Sequence, residues 1–167
     1  MKASDFIFII NQLEVSFVQQ HKMYINGKWV LAESEETYEI VNPANQEVVS
    51  IAPRGDNRDA RKAVQAAADA FKAWAETPAK ERAEIMMRIY QLMLDKKEEL
   101  AQMITLEMGK PIRESRGEVQ IAADYIAWNA EEGKRVYGET IPASTKDKRL
   151  LAVRQPVGPV AAISPWN

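Results

Sequence analysis

The residues best suited to chemistry lie at the carboxyl-terminal end of the chain: Ser164, Pro165, Trp166 and Asn167. They follow an apolar run, residues 157–163, typical of a strand that is buried on both faces of a parallel sheet. Ligands bind beyond the carboxyl ends of such strands, and an asparagine amide there can donate a hydrogen bond to a developing oxyanion. The same residues also fit a loop whose tryptophan fills the core, so residue type leaves both interpretations open.

Few other groups in the chain favour catalysis. The sequence contains no cysteine, which excludes disulfides, thiolate metal sites and a thiol nucleophile. The single histidine, His21, has no ligand-spaced partner, and we interpret it as an incidental polar residue. Glu107 has the chemistry of a general base, but it lacks a partner, which favours a surface carboxylate near a helix end. The charge run at residues 131–135 is typical of a solvated helix face.

The composition indicates a soluble globular domain. The net charge of −2, from 22 basic and 24 acidic residues, gives no electrostatic reason to expect a nucleic acid or an anionic membrane as partner. No stretch approaches the roughly 20 apolar residues of a membrane span. The apolar run at residues 6–10 is short and precedes no cleavage site, so residues 1–22 are predicted to be a disordered extension rather than a signal peptide. We therefore expect a cytoplasmic protein.

The first predicted secondary-structure elements, which would position the candidate site residues, are strands. Asn26-Gly27 between two apolar stretches predicts a hairpin with a type I′ turn, and residues 38–41 and 47–51 predict a second strand pair. A helix follows, capped by Asp56 or Asn57 and closed by Pro78.

Two further helices and two strands are predicted after this point. Thr77 and Pro78 open one long helix that ends at Gly109, and the third helix spans about residues 112–136. Strands are then predicted at residues 149–155 and at the apolar run 157–163. The predicted organisation is β hairpins, three helices and the first strand of a parallel sheet, which is an α/β fold.

Several ordered motifs resemble the amino-terminal third of the aldehyde dehydrogenase superfamily. They are MYINGKWV, NPANQEVV, TLEMGKP, EVQIAADYIAWNAEEGKRVYGETIPA and VRQPVGPVAAISPWN. The likeness runs from about Met23 to Asn167, and the last two motifs look most like NAD(P)-dependent succinate-semialdehyde dehydrogenases. It implies that residues 23–167 form an incomplete cofactor-binding domain, with strands at about 140–155 through which family members associate into homo-oligomers.

The resemblance also implies site roles. In the family a cysteine thiolate attacks a small aldehyde, hydride passes to NAD or NADP, and a glutamate activates the water that releases the acid. The position matching Asn167 donates to the oxyanion, and those matching Ser164, Pro165 and Trp166 lie along the nicotinamide ribose. The family's cysteine, glutamate and cofactor phosphate loop all follow this motif, so we expect this chain alone to be inactive and to bind neither cofactor tightly.

Two alternatives remain open. The chain could be a non-catalytic interaction module that keeps the family's surface without its chemistry, or a dehydrogenase portion for another small aldehyde. The residue that meets the adenosine 2′ position lies beyond Asn167 in the family, so both NAD and NADP remain candidates.

Overall fold

The computed structural model describes residues 19–165, and it shows an α/β arrangement of short strands and four helices. The strands are β1 (Gln19–Gln20), β2 (Met23–Ile25), β3 (Lys28–Val30), β4 (Thr37–Val41), β5 (Val48–Pro53), β6 (Glu139–Ile141) and β7 (Leu150–Ala152). The helices are α1 (Asn57–Glu76), α2 (Ala79–Asp95), α3 (Lys97–Met108) and α4 (Ile112–Glu132), and a 3₁₀ helix (Gly133–Arg135) follows α4.

The amino-terminal strands form as their sequence predicts. Strands β2 and β3 pair antiparallel around a turn in which Asn26 and Gly27 have φ angles of 51° and 73°, the left-handed values that a type I′ turn requires. The rings of Tyr24 and Trp29 face each other across this hairpin with centroids 5.0 Å apart. Strands β4 and β5 form the second antiparallel pair.

A short strand lies within the predicted extension. Gln19 and Gln20 form β1, which pairs in parallel with Ser50 and Ile51 of β5. Residues 1–18 lie outside the described part, so the predicted disorder of the extension 1–22 stays a prediction, with a short strand at its carboxyl-terminal end. Backbone hydrogen bonds to β5 hold this segment. Two glutamines form no apolar pattern, so the sequence does not predict this strand.

Helix α1 begins with a capping box. The Asp56 side chain accepts from the backbone N–H of Arg58 at 2.7 Å, and the Asp59 carboxylate accepts from the backbone N–H of Asp56 at 3.0 Å. Asp59 is buried, and it also accepts from the backbone N–H of Glu33 at 3.1 Å. One carboxylate therefore both caps the helix and ties it to the loop after β3.

The prediction of one long helix from Pro78 to Gly109 is wrong, because the structure has two helices there and four within residues 19–165. Lys96 leaves the helical region, with φ −100° and ψ 16°, and separates α2 from α3. Pro78 precedes α2 without a side-chain cap, whereas Thr77 belongs to the end of α1 and donates to the carbonyl of Ala73. The break lets both α2 and α3 pack against α4.

The core lies where α2 and α3 meet α4, and small residues form it. Ala101, Ala123 and Ala130 are fully buried, and Val119 is nearly so. Small side chains allow the helix backbones to approach closely. Ser115 is also fully buried, and its hydroxyl lies 2.8 Å from that of Thr105, so each polar group has a partner across the α3–α4 contact.

The strand predicted at residues 157–163 does not form. Residues 153–165 have no regular secondary structure, and Val157 and Ile163 are 91% and 99% exposed. A parallel strand needs neighbouring strands for its hydrogen bonds, and none of the described strands pairs with this segment. None of the helices between residues 19 and 165 is long and apolar enough to cross a membrane.

Candidate functional site

Two of the four predicted site residues lie within the described part of the chain. Ser164 and Pro165 are exposed, and Trp166 and Asn167 lie outside the described residues. Ser164 and Pro165 therefore do not by themselves enclose a dinucleotide, since a cofactor site is normally a concave pocket with converging polar groups. The site roles assigned to these four residues stay predictions.

The irregular segment 153–165 leads to these residues, and its start contacts the residues that follow the 3₁₀ helix. The guanidinium Nε of Arg154 donates to the carbonyl oxygen of Tyr137 at 3.1 Å, and its Nη2 lies 3.7 Å from the carboxylate of Glu139. Gly158 then adopts a φ of 108°, a backbone conformation that favours glycine. The segment thus leaves β7 along the residues that follow α4 before it turns away.

Strands β6 and β7 form an exposed antiparallel hairpin within the range predicted for association, residues 140–155. Thr140 pairs with Leu151, and every residue of both strands is exposed. A Cβ atom at Gly138 would lie 2.5 Å from the carbonyl oxygen of Ala152, so only glycine fits beside this hairpin. The hairpin presents backbone edges and apolar side chains that a further polypeptide could cover.

The charge run at residues 131–135 forms the solvated face that the sequence predicts. Lys134 lies 2.8 Å from Glu131, and Arg135 lies 2.7 Å from Glu132, with all four side chains largely exposed. The hydrogen bond and charge of Lys134 lower the pKa of Glu131. A second exposed pair joins α3 to α4, where a hydrogen bond from Arg116 lowers the pKa of Glu98. Both shifts reflect ion pairs rather than burial of an acid or base.

His21 and Glu107, which the sequence treats separately, line one small depression of about 190 Å³ between β5 and α3. The buried hydroxyl of Ser50 also lines it and has no hydrogen-bond partner among the described residues. No group of three or more histidine, aspartate or glutamate side chains within residues 19–165 is arranged to hold a metal ion.

A second concave feature was not predicted from the sequence. We call it the basic crevice: a cleft of about 450 Å³ between the end of α1, the start of α2, the 3₁₀ helix and the residues after β7. Its basic side chains are Arg82, Lys134 and Arg154. These residues are far apart in the sequence, so no local motif predicts that they line one cleft.

Comparison with known proteins decides the family. The profile of the aldehyde dehydrogenase family matches residues 29–167. This chain belongs to the aldehyde dehydrogenase family. The resemblance stated from its motifs is therefore confirmed.

Two curated relatives within the aldehyde dehydrogenase family show how much of such a protein the chain represents. It is 42% identical over 156 residues to a glutarate-semialdehyde dehydrogenase of Pseudomonas putida, and 43% identical over 156 residues to an NADP-dependent succinate-semialdehyde dehydrogenase of Escherichia coli. Each match covers 93% of this chain and 32% of the relative. The chain thus spans about a third of the length of these relatives, at their amino-terminal end.

A solved structure agrees with the sequence matches. The fold superposes on an NADP-dependent enzyme of Escherichia coli with a TM-score of 0.86 and 43% sequence identity, over 92% of this chain and 32% of that chain. The α/β fold predicted as an incomplete aldehyde dehydrogenase portion is confirmed.

Proposed function

We propose that this chain is the amino-terminal portion of an NAD(P)-dependent oxidoreductase that oxidises the aldehyde of a dicarboxylic semialdehyde to the acid. The supporting observation is the 42–43% identity, over 93% of the chain, to two relatives named for glutarate and succinate semialdehyde. Succinate semialdehyde is the first candidate substrate. The two named substrates differ by one methylene, so glutarate semialdehyde is the second.

The residue types of this chain indicate its role in the proposed reaction. The amide of Asn167 is a neutral donor suited to an oxyanion, while Ser164, Pro165 and Trp166 are proposed to lie beside the nicotinamide ribose. The family chemistry uses a cysteine thiolate, and the chain contains none. We therefore propose that these residues support the reaction, and that they do not catalyse it without the polypeptide that carries the thiolate.

The experiment fuses this chain, at Asn167, to the remaining two thirds of the Escherichia coli relative. We expect the fusion to reduce NAD or NADP in the presence of succinate or glutarate semialdehyde, and the isolated chain to give no saturable rate. Asn167→Ala in the fusion should lower turnover about 100- to 1,000-fold, the usual cost of losing one oxyanion donor.

Asn129→Ala is the matched control, because the Asn129 amide is exposed and, among residues 19–165, donates only to the Tyr125 carbonyl of its own helix. Saturable turnover by the isolated chain would contradict the proposal that catalysis requires the polypeptide that carries the thiolate. An inactive fusion that is folded and binds cofactor would contradict the proposed activity.

The exposed β6–β7 hairpin supports a second candidate function, a non-catalytic interaction module that acts by associating with other family members. Stoichiometric binding of the isolated chain to the intact Escherichia coli relative, measured by size-exclusion chromatography with light scattering, would favour this candidate. The same hairpin is proposed to mediate homo-oligomer formation in a protein of full family length. Removing residues 139–152 from the fusion should then yield monomers.

A further inference from the structure

The basic crevice combines a positively charged rim with apolar walls. The indole of Trp74, at the end of α1, forms one wall and is 47% exposed. Ala79 and Pro156 extend the apolar surface on either side. Its volume of about 450 Å³ falls within the range of small-molecule sites, roughly 300–1,000 Å³.

Three cationic side chains from separate elements line this crevice, and no acidic residue does so within the described part of the chain. Arg82 lies in the first turn of α2, Lys134 in the 3₁₀ helix, and Arg154 in the segment after β7. The three cations therefore reach the crevice from two helices and from the irregular segment after β7. The charged side chains that line the crevice are thus all basic, in a protein of net charge −2.

The hydrogen bonds of the two arginines leave much of their donor capacity unused. Arg82 donates through Nη1 to the carbonyl oxygen of Thr77, and no carboxylate within residues 19–165 forms an ion pair with it. Arg154 donates to the carbonyl oxygen of Tyr137 and forms a long, exposed ion pair with Glu139 at 3.7 Å. A guanidinium carries five donors, so a backbone carbonyl neither saturates it nor neutralises its charge.

Lys134 differs, because its ammonium lies 2.8 Å from the carboxylate of Glu131. Both side chains of this pair are about half exposed, and exposed pairs contribute little. Lys134 and Arg154 each have an exposed carboxylate partner, and Arg82 has none within residues 19–165, so the least compensated charge of the crevice is on Arg82.

We propose that the basic crevice binds a small organic carboxylate. Guanidinium groups bind carboxylates through paired, charge-assisted hydrogen bonds, which assigns the anionic end of the ligand to Arg82 and Arg154. The apolar end lies against Trp74, which favours an organic carboxylate over a free inorganic anion. The crevice is lined by residues other than those proposed for cofactor binding, so the inference does not depend on the proposed dehydrogenase function.

The first test titrates the 167-residue chain with benzoate, benzamide and inorganic phosphate, using isothermal titration calorimetry and tryptophan fluorescence. Benzoate should saturate with a dissociation constant on the order of 1 mM, because the crevice is open to water. Benzamide has the same flat body without the charge and should bind at least 10-fold more weakly. Phosphate should also bind at least 10-fold more weakly, because it has no apolar part to contact Trp74.

Substitutions then test which residues bind benzoate. Arg154→Gln should weaken benzoate binding about 10- to 100-fold, the usual cost of losing hydrogen bonds to a charged group. Arg154 lies in a segment without regular secondary structure, so circular dichroism should stay unchanged. Trp74→Phe should abolish the benzoate-dependent fluorescence change. Arg61→Gln is the charge-matched control, because Arg61 is exposed on α1 outside the crevice, and it should bind benzoate as the parent chain does.

Arg82→Gln provides a second variant with the same expected weakening, and circular dichroism checks that α2 remains helical after its contact to Thr77 is lost. The proposal is overturned if the folded chain shows no saturable benzoate binding, or if benzamide binds equally well. It is also overturned if Arg154→Gln and Arg61→Gln have the same affinity for benzoate. Equal affinity for phosphate and benzoate would overturn the assignment of an organic ligand.

Discussion

At the scale of single residues, two glycines with opposite surroundings allow a sharp test of the helix boundaries. Gly109 ends α3 with a φ of 74°, and a Cβ atom there would lie 3.1 Å from the backbone nitrogen of Ala44 and from Cγ of Pro43. Gly117 lies inside α4, where a Cβ atom would contact nothing within 4 Å. The first glycine is required by its conformation, whereas the second lowers the stability of its helix.

We therefore predict that Gly109→Ala and Gly117→Ala change stability in opposite directions. Gly109→Ala should lower the free energy of unfolding by about 1–2 kcal/mol, the cost of a left-handed conformation at a residue with a Cβ atom. Gly117→Ala should raise it by about 0.5–1 kcal/mol, because alanine has the higher helix propensity. Urea unfolding followed by circular dichroism measures both values, and a stabilising Gly109→Ala would contradict the boundary at the end of α3.

At the scale of elements, the core depends on small residues where helices meet. Ala123 is fully buried in α4, whereas its neighbour Ala122 is exposed on the same helix. We predict that Ala123→Leu lowers the free energy of unfolding by about 1–3 kcal/mol, because extra methylene groups do not fit a packed interface. Ala122→Leu adds the same side chain and should change stability by less than about 0.5 kcal/mol. Equal effects in urea unfolding would show that α4 does not pack as described.

Elements with a local chemical signal were predictable from sequence. The Asn26-Gly27 turn and the Asp56 cap each depend on residues within a few positions of one another, so their physics is visible in the sequence. The break at Lys96 carries no glycine or proline signal, because it results from the packing of two helices on a third. The basic crevice was missed for a related reason, since it joins residues 74–82 to residues 133–156 through tertiary structure alone.

At the scale of the whole molecule, the described residues bury few large apolar side chains. The core contains mainly alanine, while Ile121, Tyr125 and Trp128 form an exposed row on α4. The segment 153–165 adds Val157 and Ile163, which are almost completely exposed. Monomeric soluble proteins rarely leave so many large apolar side chains in water, and such surfaces mark interaction sites.

This surface leads to a prediction about association in solution. The 167-residue chain should bind the dye ANS and self-associate at micromolar concentrations, because burying Val157, Val160 and Ile163 removes apolar surface from water. The triple variant Val157→Ser, Val160→Ser and Ile163→Ser should reduce both signals at least twofold in fluorescence titration and analytical ultracentrifugation. Ala161→Ser with Ala162→Ser alters exposed small residues of the same segment and should leave both signals unchanged. If the triple variant associates as strongly as the parent chain, another surface must drive the contact, and the exposed row on α4 becomes the next to substitute.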